Sequence, residues 1–274
     1  MSNSNSIRLI TVILTLFMVF VLSIQAQDTS PALPVWSPVE GDGTLRRINV
    51  PVLMYHYVSE LPEDADDIRR GLTLAPDIFR EHIAYLSANG YQTVSLNDVD
   101  QALEYGTSLP DKPVVLTFDD GYLDAYTEVF PVLRDYGMTG TFFIITQFAD
   151  ERREGYMNWE QIAEMADAGM HMEGHSKTHP SLRERDLDYL VYQVLGSLES
   201  VTFHTERIAR IFSYPIGHYD VNTLRFMAST PVERAVTTQP GIRQTTDNRY
   251  EVPRLRITDT TGIAGLAYLL NYPE

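Results

Sequence analysis

Two short polar segments carry residue types that do chemistry: Asp119-Asp120-Gly121 and His175-Ser176-Lys177-Thr178-His179. Each directly follows an apolar run, and so do Pro215-Ile216-Gly217 and Tyr55-His56-Tyr57. Taken singly, each has a plain reading. Asp-Asp-Gly makes a good turn, two histidines four apart can be solvated in a loop, and Pro-Ile-Gly is a turn. Taken together they supply two acids and two spaced imidazoles. That is three ligands for a divalent cation plus one more carboxylate, the inventory of a zinc-type catalytic site with a position left for water. The chain has no cysteine, which excludes a thiol nucleophile, a disulfide framework and thiolate metal sites. Any metal must rest on His, Asp or Glu.

The elements that would position these groups alternate along the chain. Apolar runs at 50–55, 91–95, 113–118, 141–146, 170–174, 210–214, 234–238 and 252–257 read as strands. Amphipathic stretches at 76–89, 123–136, 159–168 and 186–207 read as helices between them. Gly90, Gly106, Gly137 and Gly169 stand where helices must stop and turn, and Asn158 with Gln161 fits an N-cap and its reciprocal partner. Val114-Val115-Leu116 and Phe142-Phe143-Ile144-Ile145 are apolar without alternation, as in strands covered on both faces. Repeated strand-then-helix order predicts an α/β fold with mainly parallel strands, and seven or eight strands favour a (β/α) barrel over an open sheet. In such barrels the site gathers at the C-terminal ends of the strands, so all four polar segments should face one mouth.

Of the 274 residues, 21 are Lys or Arg and 37 are Asp or Glu, a formal charge of −16. Such a balance argues against nucleic-acid binding and against anionic membrane faces. Residues 1–26 read as a signal peptide or an N-terminal anchor. A polar start with Arg8 precedes 16 residues, 9–24, interrupted only by Thr and Ser, and then Gln25-Ala26-Gln27. The apolar stretch is shorter than the ~20 residues that span a bilayer, yet Ile24 suits a cleavage site poorly. Residues 27–48 read as a linker and 49–274 as one domain. The expectation is export, to secretion or the cell envelope, with a membrane tether if the segment is retained.

Thr117-Phe118-Asp119-Asp120-Gly121 with His175-Ser176-x-x-His179 resembles the polysaccharide deacetylases, the NodB-homology domain or carbohydrate esterase family four. The resemblance runs over roughly residues 50 to 257. It includes Pro51-Val52-Leu53-Met54-Tyr55-His56, typical of one branch, together with Trp159 and Phe212-Ser213-Tyr214-Pro215-Ile216-Gly217. It implies a distorted (β/α) barrel and removal of acetyl groups from N-acetylglucosamine polymers or, in some members, acetylated xylan. A divalent metal is implied as well, zinc first, with nickel or cobalt as alternatives. Position by position, it implies Asp120, His175 and His179 as metal ligands and Asp119 as the general base acting on the water that the cation activates. The backbone N–H of Ile216 is implied as the oxyanion donor, although the family usually has an aromatic residue there.

Two departures stand out. The family often carries an arginine two residues before the motif-three proline, where this chain has Ser213. Arg254 resembles an arginine that one branch supplies from the last strand instead; its plain alternative is a surface cation. A C-terminal histidine usually serves as general acid, yet none follows His218. His56 is the candidate that the Met-Tyr-His branch implies, and packing under the site is its alternative. Tyr122 and Tyr214 are candidate stacking platforms for sugar rings. His82 and His204 read as solvated helix residues, His171 as packed, and Trp159 as core. The function expected is metal-dependent deacetylation of a cell-wall or extracellular glycan. The alternatives are a non-catalytic glycan-binding relative and a glycoside hydrolase using Asp119 with a second acid.

Overall fold

The structure, a computed structural model, describes residues 41–273. The signal or anchor expected at 1–26 and most of the expected linker lie outside the described residues. No described helix is long and apolar enough to cross a membrane.

Seven strands form a curled parallel sheet: β1 (Val52–Tyr55), β2 (Pro113–Phe118), β3 (Thr141–Ile144), β4 (His171–Gly174), β5 (Ile211–Ser213), β6 (Arg234–Val236) and β7 (Leu255–Arg256). Their spatial order is β6-β5-β4-β3-β2-β1-β7, and every pairing is parallel. A parallel bridge between Val236 and Val252 joins the two edges, so the sheet closes into a distorted barrel. Gln92–Thr93, expected as a full barrel strand, pairs only with the start of β2. Arg47–Asn49, of which the first two residues were expected in a linker, pair antiparallel with Arg243–Thr245.

Side chains alternate between the two faces of a strand, and the two faces of this sheet have different fates. Leu53, Tyr55, Leu116, Phe118, Phe142, Phe212, Ala235 and Leu255 belong to the large core under the surrounding helices. Val52, Val115, Phe143, Ile211, Val236 and Val252 form a second, inner cluster within the barrel. Helix Leu96–Tyr105 adds Leu96, Val99 and Leu103 to it and plugs the end where the strands start. The same alternation fixes which residues face inward at the opposite end. Two residues along each inner file from Val115, Ile211 and Val252 stand Thr117, Ser213 and Arg254, and two beyond Thr117 stands Asp119. The polar residues at the strand ends are therefore continuations of the barrel's inner wall.

The helices form where capping and amphipathicity predict. Asn158 and Gln161 make the reciprocal cap of Trp159–Asp167. Gly106 ends Leu96–Tyr105 in the left-handed conformation, with φ 73°.

Candidate active site

Asp119 follows β2 on the inner face and is 3% exposed. Its N–H donates to the carbonyl of Tyr55, which continues the β1–β2 ladder one residue past the strand. Arg254, 1% exposed and so no surface cation, grips it with both arms: Nη1 to Oδ1 and Nη2 to Oδ2, each 2.7 Å. The other donors of Arg254 go to Thr237 O, Thr117 Oγ1 and Ser213 Oγ, so all five N–H bonds of the guanidinium are used. Ser213 Oγ in turn donates to Asp119 Oδ2 at 3.2 Å. The position that carries an arginine in much of the resembling family here gives the same carboxylate a hydroxyl, and the guanidinium arrives from the last strand segment. Burial pushes the Asp119 carboxyl up, but the Arg254 guanidinium outweighs it and holds the group well below the usual carboxylate range.

Asp120 turns away into the left-handed region, φ 74°, and Gly121 continues the turn at φ 73°. That reversal aims the Asp120 carboxylate across the mouth at the two imidazoles. One ligand atom from each of Asp120, His175 and His179 lies within 4.8 Å of the others. Asp120 Oδ1 is 3.2 Å from Nε2 of both histidines, yet this buried oxygen is in hydrogen-bond geometry with neither. Such an orphaned acceptor between two imidazole nitrogens fits a cation. One carboxylate oxygen and two imidazole nitrogens suit zinc, cobalt or nickel, and three protein ligands leave room for water or substrate. His175 Nδ1 lies 2.8 Å from the carbonyl of Ser213, an arrangement that places its proton there and leaves the Nε2 lone pair facing the cluster.

The loop that carries both histidines is tied down by residues whose importance the motif pattern does not reveal. Ser176, fully buried with φ 64°, accepts the His179 N–H on its hydroxyl. Gln193, 2% exposed, accepts the N–H groups of Lys177 and Thr178 on Oε1 and donates from Nε2 to Thr178 Oγ1. It sits on a π-turn, Val191–Leu195. The only sequence signal for Gln193 is a polar residue on the apolar face of a helical stretch.

His56 Nε2 lies 3.9 Å from Asp119 Oδ2, and its Nδ1 is buried with no partner. Burial pushes His56 down to about 4, against the pull of Asp119 and Asp120. Ile216 stands at φ 60° in the Pro215–Gly217 turn, 57% exposed and on the cavity wall. Gly217 behind it has φ 69°, and a Cβ there would fall 2.2 Å from Thr238 Oγ1, so the turn needs glycine.

These groups line one cavity of about 480 Å³, together with Asp67, Ile68, Gly71, Leu72, Tyr214, Thr238 and Arg256. The two candidate stacking tyrosines offer it no free ring face. Tyr122 is buried with one face covered by Tyr57, centroids 3.6 Å apart. Tyr214 touches the cavity but is 1% exposed, stacked on Tyr219 and hydrogen-bonded to the Tyr250 carbonyl, so it is wall and not platform. Outside the site, His82 is buried, contrary to the solvated reading. It bridges Tyr55 Oη and the carbonyl of Thr261. His204 is exposed as expected and lies flat on Trp159, which packs partly buried against the core.

A family model of polysaccharide deacetylases matches residues 106–235. YxkH of Bacillus subtilis (strain 168), assigned to the polysaccharide deacetylases, is 30% identical over 248 residues, 90% of this chain and 82% of its own length. The poly-β-1,6-N-acetyl-D-glucosamine N-deacetylase of Escherichia coli (strain K12) is 36% identical over 117 residues, 38% of this chain and 17% of its own. In three dimensions the chain is similar to the Streptococcus pyogenes deacetylase PplD, solved in complex with acetate. The TM-score is 0.76 at 25% identity, over 82% of this chain and 99% of that one.

Proposed function

The chain belongs to the polysaccharide deacetylases, and from that premise we propose that it is a divalent-metal-dependent hydrolase that removes N-acetyl groups from an N-acetylglucosamine-containing cell-wall or extracellular glycan. The observation that carries this reading is the meeting of Asp120, His175 and His179 around an orphaned oxygen, beside a carboxylate clamped by Arg254. The E. coli relative, by its name, acts on an N-acetylglucosamine polymer, which favours the same sugar here.

When bound, a divalent cation supplies Lewis acidity toward the amide carbonyl and acidifies water. The chain's own residues do the rest. Asp119, ionised because of Arg254, accepts the proton of the attacking water; its two oxygens are fixed in direction by three donors. Arg254 and Ser213 position this base and do not touch substrate. The N–H of Ile216 donates to the acetyl oxygen as negative charge develops there, a type of contact whose loss costs about 100- to 1000-fold in rate. His56 enters the cycle neutral; from its place beside Asp119 it takes up the proton that Asp119 gained from the water and passes it to the departing amine.

The glycoside-hydrolase alternative lacks support, since Asp119, the acid it would use, is held by both arms of a buried arginine. Export, with residues 1–26 as a cleaved signal or a retained tether, belongs to the same proposal and is tested by N-terminal sequencing of the mature protein. The deacetylase reading is tested by incubation with chitooligosaccharides, poly-β-1,6-N-acetylglucosamine and acetylxylan. Acetate from the first two, unchanged chain length, loss on chelation and recovery with zinc, nickel or cobalt are expected. Shortened chains, or acetate release indifferent to chelation, would refute it.

A further inference from the structure

One cationic group in the cavity has no task in this chemistry. Arg256 stands two residues beyond Arg254, with the buried Leu255 facing the outer core between them, so both arginines belong to the inner file of β7. Two residues along a strand advance about 7 Å, which sets the second guanidinium further out at the mouth. There it is exposed and lines the cavity. Arg254 gives every donor to a protein partner. Arg256 makes no hydrogen bond with any described residue, and no described carboxylate oxygen comes within 4.0 Å of its nitrogens.

Two of the acids facing the cavity are already committed. Asp119 is neutralised by Arg254, and Asp120 belongs to the histidine cluster. Asp67 also lines the cavity, but its carboxylate oxygens stay more than 4.0 Å from the Arg256 nitrogens. A guanidinium set in a cavity wall, with no anionic partner among the described residues, keeps its N–H donors available to a ligand. Its planar fork matches a carboxylate bidentately. In a chain of net charge −16, a free cation at this place is not surface background.

We propose that Arg256 forms a carboxylate subsite, so that the glycan accepted here carries a carboxylate on, or next to, the acetamido sugar being deacetylated, as a lactyl ether does. This rests on the deacetylase reading and narrows its substrate to an anionic glycan. The same fork would also suit the acetate product, so the test separates the two sources.

Two probes serve: a tetrasaccharide alternating N-acetylglucosamine and N-acetylmuramic acid with free lactyl carboxylates, and the same compound with those groups methyl-esterified. The kcat/KM for acetate release and the calorimetric Kd are measured for both with the wild-type protein, Arg256→Gln and Arg256→Lys. The wild type should favour the free acid at least about tenfold in both quantities, roughly the value of one charge-assisted contact. The preference should collapse toward one in Arg256→Gln and persist in part in Arg256→Lys, while inhibition by added acetate stays the same in all three. A wild-type ratio near one, or a ratio unchanged in Arg256→Gln, overturns the subsite. So does weaker acetate inhibition in Arg256→Gln with the sugar preference intact, which assigns the residue to product. Absence of acetate release from either sugar counts against the deacetylase reading alone, because the Kd ratio still decides the subsite.

Discussion

The interior of the barrel holds two buried arginine–aspartate pairs, one on each side of its inner apolar cluster. At the end where the strands start, Arg234 gives Nε and Nη2 to Asp100 Oδ1, at 2.9 and 2.5 Å, while Arg249 pairs with Glu104 on the same helix. At the mouth, Arg254 grips Asp119. Both guanidiniums are at most 1% exposed. Arg234, Asp100 and Glu104 leave no buried side-chain atom unpartnered. Beside Arg254 and Asp119, by contrast, Asp120 Oδ1 and His56 Nδ1 are buried and unpartnered, and Asp120, Ser176, His179 and Ile216 all hold positive φ. The same ion-pair chemistry closes one end of the barrel and keeps the other end reactive. Unmet polar groups and strained backbone collect where something must bind.

Substitutions at the two ends should separate these roles. The largest effect is expected for Asp120→Asn, which should lower acetate release about 1000-fold or more and, by elemental analysis, the metal held by the protein. Wild-type metal content in that variant would remove the cluster from the mechanism. Asp119→Asn should cost about 100- to 10,000-fold in kcat while the metal is retained. Next come Arg254→Met and Arg234→Met. Each strands a buried carboxylate and should lower stability by about 3–5 kcal/mol in urea titrations. Only Arg254→Met should also reduce kcat in the fraction that folds; equal losses of kcat in both would erase the distinction drawn above.

The smallest effect concerns neither end. Burial pushes His82 from 6.5 to about 4 in the folded protein. Between those values the unfolded chain binds a proton that the folded chain refuses. Stability is therefore complete above the upper value and declines as pH falls through the window, by up to about 3 kcal/mol. Urea midpoints from pH 7 to pH 4.5 should show that slope, and His82→Gln should reduce it, leaving the share that His56 contributes.

Much of the mouth was legible because it obeys local rules. The acids and imidazoles stand directly after apolar runs, and period-two alternation alone sends Thr117, Asp119, Ser213 and Arg254 inward. The reach of Arg254 to Asp119 crosses 135 positions, and a family resemblance was needed to suspect it. Other contacts left no local trace. His82 is buried by Thr261, 179 positions away. The face of Tyr122 is covered by Tyr57, and Gln193 holds a histidine loop from a neighbouring helix. Periodicity reports which face of an element is apolar. It does not report which distant element will cover it.

The left-handed Ile216 has a consequence for anyone seeking a hardier protein. A β-branched residue in that conformation taxes the folded state by about 1–3 kcal/mol, and glycine would lift most of that burden. Ile216→Gly should thus tolerate heat better while aiming its amide less firmly, so thermal robustness and catalytic rate would move in opposite directions at this one position.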